Sequence, residues 1–124
     1  MSEKVVTDRR RALFLQLLAT HPNIEAKGQT RPYTSHNGHK FSVFSSEGRF
    51  GIRLAQAERT AFLDKYDTTL LESDGKTMRE YVAIPDELME DTEELKHYLH
   101  RGFIYVKSMR PKLPKRFKRR RKVH

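Results

Sequence analysis

Cysteine is missing from this 124-residue chain. That excludes a disulfide scaffold, thiolate metal sites and cysteine nucleophiles. Long apolar runs are missing as well. The longest, "ALFLQLLA" at residues 12–19, falls far short of the roughly 20 residues of a membrane span. The opening "MSEKVVTDRRR" lacks the basic-then-apolar order of a secretory leader. No Gly-x-Ser-x-Gly elbow, phosphate-binding loop, His-Glu-x-x-His pair or dinucleotide fingerprint occurs. Ser, His, Asp and Glu are all present, but their spacing supplies no geometry that joins them. These absences lead to the expectation of a soluble cytoplasmic protein without membrane partner, cofactor, metal or enzymatic activity.

Charge of one sign is absent where it matters most. Residues 110–124 contain no Asp or Glu, yet they carry nine of the 25 Lys and Arg residues. Residues 1–109 are left with sixteen basic against sixteen acidic groups. The net charge of +9 therefore belongs to the chain end, and the length fits one domain. The expected division is a flexible N-terminus at 1–7, a domain at 8–110 and a disordered basic tail at 111–124.

Within the domain, Thr7 reads as an N-cap followed by Asp8 at the positive end of a helix. The spacing places Leu13, Phe14, Leu17 and Leu18 on one face, and the helix should stop near His21-Pro22. Asn37-Gly38, between two extended runs, predicts a hairpin with both turn residues at positive φ. After it, alternation groups Phe41 with Val43, and Lys40 with Ser42 and Phe44. A second turn at Glu47-Gly48 leads into "RFGIRL", where Phe50, Ile52 and Leu54 alternate with Arg49, Gly51 and Arg53. "AQAERTAFLDKY" returns to helical spacing. A strand near 69–72, a turn at Asp74-Gly75 and the strand "REYVAI" follow, ended by Pro85. Asp91 caps a last helix whose core stripe is Leu95, Leu99, Phe103 and Val106, with Glu94 completing a capping-box pattern. The order α-β-β-β-α-β-β-α predicts an α+β domain, a two-layer antiparallel sheet with helices on one face.

Three groups of residues carry candidate chemistry. In the tail, Lys115, Arg116, Lys118, Arg119, Arg120, Arg121 and Lys122 could neutralise phosphates without sequence preference. Phe117 among them could stack on a base, a contact worth about 1–3 kcal/mol. The plainer reading is a solvated end with incidental affinity for polyanions. On the sheet, Lys40, Arg49 and Arg53 should share the face opposite the core with Tyr33 and Phe44. That would be a basic-aromatic surface for a protein or nucleic-acid partner, or an ordinary solvent face. His36 and His39 flank the first turn, and His97 and His100 stand three apart on the last helix. Either pair lacks the third ligand that a zinc site wants, so a structural role is expected. The acids of "DELMEDTEE" are expected to complement a helix N-terminus rather than the tail.

The segment "DGKTMREYVAIPDELMEDTEELKHYLHRGFIYVKSMRPK" resembles the C-terminal half of the TfoX N-terminal domain. There a turn, a small residue and Met lead into a strand, then Pro or Asp, then a helix ending in an aromatic, a Ser and a basic Pro-Lys. Thr77-Met78, Tyr81-Val82, Pro85, Leu95, Tyr105, Ser108 and Pro111-Lys112 occupy those places. Upstream, "NGHKFSVFSSEGRFGIRL" is similar to the family's hairpin. The resemblance covers roughly residues 8–112. "RPYTSHNG" departs from the Phe-Gly-Gly that many relatives carry before that hairpin. Full-length TfoX proteins, regulators of natural competence, carry a second domain for which 124 residues leave no room. The resemblance thus implies a stand-alone N-terminal module, with a fold similar to the two-layer architecture of secretion chaperones.

The expected function is a non-enzymatic binding or regulatory module. Its body would meet a protein partner or a second copy of itself, and its tail would contact nucleic acid. The rival is a small-molecule-binding protein or enzyme that uses a cleft between sheet and helices, with the tail irrelevant.

Overall fold

Two Asx-Gly turns set the sheet. The computed structural model describes residues 3–112, and in it Asn37 and Gly38 lie at φ 53° and 83°, Asp74 and Gly75 at 54° and 74°. Positive φ at both central positions is the geometry of the tight turn that matches strand twist. The first turn joins β1 (Tyr33–His36) to β2 (His39–Phe44), and the second joins β4 (Leu70–Ser73) to β5 (Lys76–Ala83). With β3 (Phe50–Arg53) they form one antiparallel sheet in the order β1-β2-β3-β5-β4.

Three helices cover one face: α1 (Glu3–Ala19), α2 (Gln56–Tyr66) and α3 (Thr92–Lys107). Phe14, Leu17 and Leu18 of α1, Phe62 of α2, and Leu95, Leu99, Phe103 and Val106 of α3 form a single apolar cluster with the inward side chains of the sheet. The two-layer α+β architecture and its element order are therefore those expected from the sequence. Among the described residues, no helix is long and apolar enough to cross a membrane.

A bulge corrects the expected facing of β2. Thr34 pairs with Ser42 and the next residue, Ser35, pairs with Lys40, which leaves Phe41 as an extra residue. One inserted residue inverts the alternation beyond it. Phe41 and Phe44 consequently both enter the main core, whereas Val43 turns to the opposite face. Ser42, opposite Ile52 on β3, faces inward. Its hydroxyl and that of Thr34 lie 2.6 Å apart, so two fully buried polar groups satisfy each other.

The second hairpin is also irregular. Leu70 pairs with Val82 but Leu71 with Met78, so residues 79–81 have no partner on β4. Leu71 and Met78 join Val43, Tyr81 and Ala83 in a second cluster on the helix-free face. Gly51 lets Leu71 lie flat across β3, since a Cβ there would stand 2.8 Å from Leu71 Cδ2.

The N-terminal helix begins at Glu3, so residues 3–7 are helical rather than loose. Thr7 is not its cap. The Thr7 side chain rests against the β2–β3 turn, where a Cβ on Gly48 would meet its Oγ1 at 2.6 Å. Basic residues of α1 then reach the acidic stretch before α3. Arg10 makes two hydrogen bonds of 3.0 Å to Asp86, and Arg9 lies 3.1 Å from Glu90. The Arg10 hydrogen bonds outweigh burial and hold the Asp86 carboxyl below its ordinary value. Asp91 caps α3 by accepting the Glu94 N–H at 3.2 Å. Glu94 does not close the box, because its carboxylate accepts from the Tyr66 hydroxyl and from Lys65.

α3 approaches the sheet most closely at Gly102. A Cβ there would lie 2.8 Å from the Arg53 carbonyl oxygen and 3.1 Å from Ile52 Cγ2. In an uncrowded helix, Gly→Ala stabilises by about 1 kcal/mol. Here overpacking against backbone reverses the sign, so Gly102→Ala is expected to destabilise by about 1–3 kcal/mol. Urea unfolding of the two proteins checks this, and a stabilised variant would show that the helix stands off the sheet.

Candidate functional site

Of the five residues expected on one partner surface, Tyr33, Lys40 and Arg53 are brought together, with Arg53 donating to the Lys40 carbonyl at 3.2 Å, and Phe44 and Arg49 are not. Tyr33 and Lys40 stand together on the helix-free face, with Lys40 Nζ 4.4 Å from the Tyr33 ring centroid. Phe44 is a core residue, 6.3 Å from the Phe14 ring, because the bulge at Phe41 turns it inward. Arg49 is exposed near Asp86, whose carboxyl it helps to keep charged. Arg53 lies at the end of β3 and bonds Glu80 through Nε at 2.8 Å.

Glu80 gathers a network at that sheet end. It accepts from Arg53 and, at 2.6 Å, from the Tyr105 hydroxyl of α3, with Arg59 of α2 at 3.9 Å. Burial alone would raise its carboxyl, but the Tyr105 and Arg53 hydrogen bonds more than offset that and hold it below its ordinary value. The neighbouring Tyr81 hydroxyl donates to the Lys40 carbonyl at 2.8 Å, and burial pushes it up to about 12. This network joins β3 and β5 to α3 and, through Arg59, to α2.

The helix-free face carries a cleft of about 480 Å³. It lies between Tyr33, Lys40 and Val43 on one side and the β4–β5 turn, Ser73 to Met78, on the other. The turn is held over the sheet by Arg31 and Asp74 at 3.3 Å, and by bonds from Ser46 N–H to Ser73 Oγ (3.1 Å) and Asp74 N–H to Ser46 Oγ (2.7 Å). This cleft is not the one the rival reading places between sheet and helices, since that space is filled by the main core. Arg31, Lys76 and Met78 were not legible as its lining, because the fold-back of the hairpin depends on the unpaired residues 79–81.

The histidines engage other parts of the fold. His36 and His39 are opposite each other across the turn. His36, however, sits edge-on to Phe103 at 5.1 Å, and His39 Nε2 lies 2.6 Å from the Arg110 carbonyl. His97 stands beside Tyr98. His100 instead meets His21, with His21 Nε2 3.1 Å from His100 Nδ1. Among the described residues, no three His, Cys, Asp or Glu side chains are grouped to hold a metal.

His39 also belongs to an anchor for the end of the chain. Besides its bond to the Arg110 carbonyl, the Lys112 N–H donates to the Asn37 carbonyl at 2.9 Å. Gly38 permits this contact, because a Cβ there would lie 2.8 Å from Lys112 Cβ. The chain past α3 therefore returns to the β1–β2 turn through Arg110 and Lys112. Lys115, Arg116, Phe117, Lys118, Arg119, Arg120, Arg121 and Lys122 lie outside the described residues.

No family model, curated protein or solved structure compared with this chain matches it.

The histidine pair yields a pH dependence. His21 Nδ1 accepts the Asn23 N–H at 3.1 Å, so Nε2 carries the proton toward His100. Burial, then the nearby His100 and Lys96, hold His21 below the ordinary histidine value. A depressed folded-state value means that the folded form favours the neutral ring. The contribution is full above a pH of about 6.5, the unfolded value, and is lost as pH falls through the folded one. His21→Gln keeps an acceptor and a donor without titrating. It is expected to flatten the fall in melting temperature between pH 7 and pH 5, and equal slopes for the two proteins would refute the assignment.

Proposed function

We propose that this protein is a non-enzymatic binding and regulatory module of the TfoX N-terminal type, acting in the cytoplasm. Its body meets a protein partner or a second copy, and its cationic chain end contacts nucleic acid without sequence preference. The observation that carries the nucleic-acid part is the anchor at the β1–β2 turn. Lys112 is bonded to Asn37 at 2.9 Å, so the basic residues that follow start from a fixed point at the end of the sheet. Arg110 and Lys112, both exposed, extend the same positive charge onto the body.

The distribution of the other charges supports this division. Arg9, Arg10, Arg53, Arg59 and Arg101 are each engaged with Glu or Asp. Of the acids of 86–94, Asp86, Glu90, Asp91 and Glu94 are engaged by α1, the α3 cap and Tyr66. The non-enzymatic part draws support from the shifted groups. Glu80, Asp86, Glu94 and His21 all bond across elements of the fold, and they do not converge on one cavity. The family part rests on the motifs at residues 8–112, with which the α-β-β-β-α-β-β-α order agrees.

A salt titration of the full chain and of residues 1–112 against labelled DNA and RNA tests the reading. Six or more phosphate contacts would lower affinity by about 10³ or more between 50 and 200 mM salt. The shortened chain is expected to lose binding while its melting temperature stays unchanged. Equal binding by both forms would overturn the role of the chain end.

A further inference from the structure

The helix-free face of the sheet carries an apolar cluster of its own, and part of it is left open. Val43 and Leu71 are buried there, while Tyr33 and Met78 are only half-covered. Burying such surface is favourable by roughly 25 cal/mol per Å², so an occupant with an apolar body gains by entering. The cleft is preformed. Arg31–Asp74 and the Ser46 bonds fix the β4–β5 turn above it.

The rim has one sign of charge in excess. Lys40 is positioned by the Tyr33 ring, Lys76 is exposed, and Arg31 shares the single carboxylate of Asp74. The volume, about 480 Å³, lies within the range of roughly 300–1,000 Å³ found for small-molecule sites. The Tyr33 ring is not free for stacking. Lys40 covers it, and Gly28 approaches it so closely that a Cβ would lie 3.4 Å from Cδ1. A nucleobase therefore has no ring face to use.

We propose that this cleft binds a small amphipathic anion, a medium-length aliphatic or aromatic body that carries one carboxylate. The body would lie on Val43 and Met78, and the carboxylate would sit between Lys40 and Lys76. This site is independent of nucleic-acid contact by the chain end.

The test is an NMR titration of the full ¹⁵N-labelled chain with sodium decanoate below its micelle concentration, beside decanol and inorganic phosphate. Saturable shifts are expected at Tyr33, Lys40, Val43 and residues 76–78, with decanol and phosphate each at least tenfold weaker. Lys76→Glu, at an exposed position, is expected to weaken decanoate at least tenfold, and adding Lys40→Glu to abolish binding. Both variants should keep the salt-dependent DNA binding of the parent, which separates failure here from failure of the nucleic-acid reading. Equal affinity for decanol, unchanged binding by Lys76→Glu, or shifts confined to residues 113–124 would overturn the proposal.

Discussion

One extra residue in β2 decides what both faces of the sheet are made of. Without the bulge at Phe41, strict alternation would send Phe44 outward and Val43 inward. The core would lose the Phe14–Phe44 contact, and the outer face would carry a bare phenyl ring. With it, Phe41 packs 5.7 Å from Phe103 of α3 and Phe44 packs on Phe14 of α1. The same strand therefore serves two helices. Val43, released to the other side, becomes part of the apolar floor under the β4–β5 turn. Core and cleft are thus two results of a single irregularity in register.

The polar contacts do a different task from the apolar ones. Burial against the sheet is non-directional and would tolerate some sliding of the helices. Arg10 with Asp86, Tyr105 with Glu80, Tyr66 with Glu94 and His21 with His100 each join separate elements at defined points. Most are partly exposed, where an isolated ion pair adds only about 0–1 kcal/mol. Their effect is on register and orientation rather than on total stability. Gly102 acts in the same sense by steric means, since it fixes how near α3 comes to β3.

Much of this fold was legible from local chemistry. Asn37-Gly38 and Asp74-Gly75 call for positive φ at both residues, and that requirement is independent of the rest of the chain. The α3 stripe of Leu95, Leu99, Phe103 and Val106 is buried as its spacing demands. The facing of β2 was not legible. Alternation assumes an unbroken ladder, and nothing in "HKFSVF" marks Phe41 as the inserted residue. The beginning of α1 was missed for a related reason. Thr7 has the chemistry of a cap, but a tertiary contact with the β2–β3 turn engages it instead. The cleft was least legible, because its two walls are about 40 residues apart in sequence and meet only through the doubled-back hairpin.

The distribution of charge bears on each of the two proposed sites separately. A balanced body suggests no electrostatic handle, yet balance over the whole need not hold over each surface. Ion pairing on the helical side consumes Arg9, Arg10, Arg59 and Arg101 together with their acids. The helix-free side keeps Lys40 and Lys76 around a cleft with one carboxylate. The chain end is tied to the turn only two residues before Lys40, through Lys112 and Asn37. Positive charge is therefore left on the helix-free face, apart from the ion-paired helical side. A mobile anion near that face would be drawn first by long-range attraction, which salt screens over about 8–10 Å. Apolar complementarity would then decide whether it remains: phosphate backbones find no floor to occupy, whereas an amphipathic carboxylate does.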